Sequence, residues 1–166
     1  MKIFLSALST LLVLMLLFLV FIFSGIYNVA ADKPDAPVIV RVLKTVRKNS
    51  IRPRADKIRI PAYVKDTPAF EGLSRFNKSC EPCHGAPGVK PFGFAKGMYP
   101  HPPDLMKSVK DLSLKHVFWV IRNGIKTTGM PSFEKTLTDK ELWSLAVSVK
   151  HLPATSPREY EAAIKK

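Results

Sequence analysis

The chain has 166 residues, 26 of them basic and 13 acidic, for a formal charge of +13 at neutral pH. That length accommodates one domain with appendages, and the charge favours an anionic membrane surface or an acidic docking protein. Nucleic acid is the weakest of the partners such basicity suggests and is not expected, because no zinc-finger, homeodomain or ribonucleoprotein fingerprint accompanies it.

Ile3 to Phe23 carries no charge, and only Ser6, Ser9 and Thr10 interrupt its apolar run. At about 1.5 Å per residue a helix there reaches about 30 Å, the thickness of a bilayer's hydrocarbon core. A signal-peptide core is shorter, about 7–15 residues. Residues 1–31 are therefore expected to be an uncleaved transmembrane anchor, with Tyr27 at the interface. The competing reading is a cleaved signal peptide ending at Val29-Ala30-Ala31. Only Lys2 precedes the span, whereas Lys33, Arg41, Lys44, Arg47 and Lys48 follow it. Taken alone, the positive-inside rule puts the C-terminal body in the cytoplasm.

Residues 32–66 form a basic connector punctuated by Pro34, Pro37, Pro53 and Pro61. Within it Val38, Ile39, Val42, Leu43 and Val46 recur at helical spacing, opposite Arg41, Lys44 and Lys48. The pattern predicts an amphipathic basic helix ending near Asn49-Ser50. It has two uses: lying on anionic lipid headgroups, or packing as a spacer on the body with its charges in water.

Residues 67–166 predict a compact all-α domain. Thr67 and Pro68 open a first helix, with Phe70, Leu73, Phe76 and Cys80 as its buried stripe. The segment from Lys90 to Lys110 is too rich in Gly and Pro for continuous helix. A second helix runs from a Ser113 cap to Asn123, burying Leu114, Val117, Phe118 and Ile121, and ends at Gly124. The capping box Thr138-Asp139-Lys140-Glu141 starts a long helix with Leu142, Leu145, Ala146 and Val149 inside, stopped by Pro153. Ser156-Pro157-Arg158-Glu159 starts a short terminal helix by the same logic.

The first helix runs into Cys80-Glu81-Pro82-Cys83-His84, and these two cysteines are the only ones present. Cys-x-x-Cys-His is the c-type haem attachment pattern. Each thiol can form a thioether to a porphyrin vinyl group, and the adjacent imidazole becomes an iron ligand. A redox dithiol would sit in a βαβ pattern, and a zinc site would need more cysteines. One covalent haem c is thus expected on Cys80, Cys83 and His84. Such attachment happens outside the cytoplasm, against the charge bias of the anchor; the chemistry outweighs the bias. An electron-shuttling iron needs a second axial ligand, and methionine is the soft candidate. Met130 lies between Gly129 and Pro131 in an irregular segment joining two helices, where such a turn can present a thioether. Met98 and His101 are the reserves.

From about Thr67 to Pro153 the sequence resembles the class I (monohaem) cytochrome c family, of the membrane-anchored bacterial type. The resemblance rests on the haem motif closing a first helix, the proline-bearing loop, Gly129-Met130-Pro131 and the final long helix. It implies that Phe76, four positions before Cys80, packs on Trp143. It also likens Pro103-Asp104-Leu105 to the family's Pro-x-Leu, so that the Pro103 carbonyl accepts from His84 Nδ1 and Leu105 lies on the haem. Trp119 is an expected contact to a haem propionate. The implied function is one-electron transfer with His84/Met130 ligation, not substrate turnover. The expected partners are membrane redox complexes or soluble carriers, in the respiratory chain of a bacterial inner membrane, with the haem domain on the periplasmic side. The rival is a haem-based sensor in which Met130 is absent from the iron or leaves it readily.

Overall fold

The computed structural model describes residues 2–165, and every regular element among them is helical, with no strand. The chain divides between Lys33 and Pro34 into two compact units.

In the first unit the apolar run forms α1 (Lys2–Phe23), 22 residues that include an 18-residue stretch of mean hydropathy 2.8, with no buried side chain. By length and composition it is able to cross a membrane. Its few hydroxyls return to the helix: Ser6 Oγ donates to the Ile3 carbonyl, and Ser9 Oγ and Thr10 Oγ1 to that of Ser6, each at 2.9 Å. A helix whose polar groups are satisfied internally suits a medium that offers no hydrogen bonds.

The second unit begins with α2 (Pro37–Asp56), opened by Pro37 in its first turn. The expected stop at Asn49-Ser50 is overrun: the helix continues through Pro53 to Asp56. Local propensity argues against those last turns, but Ile51 and Ala55 are buried there, and α2 packs on α6 (Leu114–Asn123). Lys115 Nζ also donates to the Asp56 carbonyl at 3.2 Å, satisfying a helix-end acceptor. Tertiary burial outweighs propensity, as it generally does for protein helices. From Pro34 onward the connector therefore shares a compact unit with the residues that follow it.

After a 3₁₀ turn at Ala62–Asp66, the next helix, α3, spans Leu73–Ser79 instead of starting at Pro68. Residues 68–72 form tight turns, with Glu71 N donating to Pro68 O and Leu73 N to Phe70 O. Phe70 is consequently 42% exposed rather than part of the buried stripe, and Thr67 Oγ1 donates to Tyr63 O instead of capping α3. α4 (Glu81–His84) follows directly, then α5 (Leu105–Ser108), α6, α7 (Asp139–His151) and α8 (Pro157–Ile164).

The caps of the later helices are local chemistry. Ser113 Oγ accepts from His116 N, and both Thr138/Glu141 and Ser156/Glu159 form complete capping boxes. Gly124 ends α6 at φ +65°, a region open to glycine. The core gathers Leu73, Phe76, Val117, Phe118, Ile121, Leu142, Trp143, Leu145 and Val149 where α3, α6 and α7 meet. Trp143 stacks on Phe118 at 3.8 Å between ring centroids. Phe76 instead meets Tyr160 edge-on at 6.2 Å, so the ring against it comes from α8 rather than from Trp143.

Candidate haem site

The site is built where α3 gives way to α4. Cys80 caps α3 and precedes α4, placing its thiol in the core. Burial, with the neighbouring Cys83 second, pushes that thiol up to about 12. A reactive dithiol needs the opposite, a thiolate stabilised at neutral pH, so Cys80 is a poor redox nucleophile. Cys83 and His84 lie one turn on and are half-buried.

His84 Nδ1 donates to the Pro103 carbonyl at 2.9 Å. A carbonyl can only accept, so this bond fixes the tautomer and leaves Nε2 with its lone pair. Burial lowers the His84 pKa, and the Pro103 bond opposes it more weakly; the ring is held neutral, as a metal ligand must be. Pro103 is positioned by the start of α5, where Asp104 caps the helix by accepting from Met106 N at 3.0 Å. Leu105 packs half-buried against the core.

Met130 is half-buried in the loop after α6. Two contacts pin that loop. Ile125 N donates to Met130 O at 3.1 Å, and a Cβ on Gly124 would stand 2.6 Å from Pro131 C and 2.7 Å from Met130 O. Met98 Cε lies 1.9 Å from where a Cβ on Gly129 would be, which brings the reserve thioether against the residue preceding Met130. His101 is exposed with its ring edge on Tyr99. Trp119 is half-buried on α6, and its carbonyl accepts from Asn123 Nδ2.

The donor set fits a haem: two cysteines one turn apart, a neutral imidazole with one nitrogen tied back, and a thioether in a braced loop. The family model for cytochrome C oxidase, cbb3-type, subunit III matches residues 68–147. Those residues form a class I cytochrome c domain. Searches among curated proteins and among solved structures found no match. The cytochrome c domain supports a haem-based electron carrier.

Three residues escaped the sequence reading. Gly72 lets α3 approach α7 closely: a Cβ there would lie 2.7 Å from both Leu145 Cα and Ser144 O. Its N–H donates to the buried Ser148 Oγ at 2.9 Å. Its position four before Phe76 was the only sequence signal. Glu81, inside the haem motif, is buried; its carboxyl group accepts from Tyr160 Oη at 2.5 Å and from Asn77 Nδ2 at 2.9 Å. Burial, followed by the Glu81 bond, pushes the Tyr160 phenol well above its usual range, so it stays protonated and donates. Both partners look unremarkable in sequence because they lie 79 residues apart.

Tyr160→Phe should therefore leave a buried acceptor short of a donor, costing about 1–3 kcal/mol. The thermal melt of the haem-loaded protein is expected to fall by several degrees. An unchanged melting temperature would show that Asn77 alone satisfies Glu81.

Proposed function

We propose that the protein is a membrane-tethered one-electron carrier, holding one haem c covalently on Cys80 and Cys83 with His84 and Met130 as axial ligands. The observation that carries this reading is the His84–Pro103 hydrogen bond. It orients the imidazole and raises its basicity as a ligand, which a redox dithiol would not require; a zinc site would use the same bond but would need more cysteines than Cys80 and Cys83.

A bound haem supplies one-electron iron chemistry; the chain's residues determine its ligands and surroundings. With Met130 as a ligand beside His84, the bound group would have a raised reduction potential, as in cytochromes c. The braced 124–131 loop would hold the Met130 thioether in place when the group is bound. Pro103 orients His84, Leu105 contributes apolar cover, and Trp119 is assigned to a propionate. α1 anchors the chain, with the cytochrome c domain on the extracytoplasmic side where haem is attached. The bilayer then holds it near respiratory partners at high effective concentration. The matched family's namesake, an oxidase subunit, supports a membrane redox complex as the partner.

The test combines the mass of the mature chain with a redox-titrated spectrum of the membranes. The expected result is one porphyrin mass added to a chain that retains residues 1–31, with a methionine-to-ferric-iron charge-transfer band that persists under cyanide and a ferrous spectrum unchanged by carbon monoxide. No added porphyrin, when the maturation machinery is present, overturns the attachment. Rapid ligand binding by the resting protein favours the sensor instead.

A further inference from the structure

The face that α2 turns away from the cytochrome c domain is apolar. Val38, Val42 and Val46, each one turn from the next, are 66%, 54% and 58% exposed. The other side of the same helix is occupied. Ile51 and Ala55 are buried, and Val40, Leu43, Lys44 and Arg47 line a cleft shared with Tyr99, Pro100 and Lys126. The apolar face expected from the sequence is thus split, with Leu43 turned toward the cleft and the valine row left outside. Beside that row run Arg41, Lys48 and Arg52, all exposed and in no ion pair among the described residues.

We infer that α2 lies flat on the bilayer surface, its valine row inserted among acyl chains and its cations paired with anionic lipid headgroups. A narrow apolar row with a cationic border is the surface of an interfacial helix. A second protein is a poorer occupant, because stable interfaces engage roughly 20–30 residues a side and this row offers three. The bilayer is also close in sequence. Residues 24–36 separate α1 from α2, a reach of at most about 45 Å when fully extended. The inference rests on the anchor proposed above for that proximity.

The test uses the haem-loaded full chain carrying Val42→Cys, in lipid nanodiscs, labelled by an uncharged polyethylene-glycol maleimide. Thr136→Cys, on an exposed loop, reports general reagent access. With phosphatidylglycerol present, labelling at position 42 is expected to slow several-fold relative to pure phosphatidylcholine, while position 136 stays unchanged. Adding Arg41→Glu and Lys48→Glu should restore the fast rate. Equal rates at position 42 in both lipids overturn the inference. Slow labelling in detergent, with a doubled mass by sedimentation, overturns it in favour of a second copy. Resistance to carbonate extraction from native membranes scores the anchor separately, so failure of α1 and failure of α2 are distinguishable.

Discussion

Met130→Ala should abolish the methionine-to-ferric-iron charge-transfer band and open the iron to cyanide. The reduction potential should drop on the order of 0.1 V or more, a modest part of the roughly 0.8 V that axial ligands command. The substitution removes the soft thioether that favours the ferrous state, and within the braced loop only Lys126, once deprotonated, offers another donor: Gly129, Pro131 and the threonines are not ligands of that kind. The nearest alternative is Met98, whose terminal methyl already lies over Gly129. A Met98→Ala, Met130→Ala double variant separates the cases. If the single variant keeps the band and only the double loses it, Met98 can replace Met130. If Met98→Ala alone abolishes it, the assignment to Met130 is wrong.

Gly72→Ala should markedly destabilise the cytochrome c domain. The new Cβ would collide with the backbone of Leu145 and Ser144 at 2.7 Å. Backbone inside a packed helix cannot step aside as a flexible side chain can, so α3 and α7 must separate. Overpacking of this kind costs about 1–3 kcal/mol. For a chain of this size each kcal/mol moves the melting temperature by about 2–4 °C. The shift would also lengthen the hydrogen bond from Gly72 N to Ser148 Oγ, now 2.9 Å. Because α3 leads into the haem motif, the variant should also hold haem in a looser, spectroscopically heterogeneous site. A melt within a degree of the parent would show that the crossing has room to spare.

What the sequence made legible was what depends on neighbours in the chain. The haem motif is contiguous, and the capping boxes at Thr138 and Ser156 each close within four residues, so both can be read without knowing the fold. The His84–Pro103 bond was accessible only through the resemblance at Pro103-Asp104-Leu105, since no spacing rule links residues 19 apart. The failures are long-range. Asn49-Ser50 reads as a stop, but the helix continues because Ile51 and Ala55 find cover in α6. Thr67-Pro68 reads as a start, yet the chain turns tightly until Gly72 can meet α7. Phe76 was paired with the wrong ring because its partner comes from a helix beyond the matched stretch, which ends at residue 147.

That last partner bears on the order of biosynthetic events. Tyr160 is translated long after Cys80, and it docks on Glu81, the residue next to that buried cysteine. On the covalent reading, Cys80 would be easier to reach before the carboxy-terminal tail docks. The last residues of the chain to be made thus hold a carboxyl group of the haem motif in place.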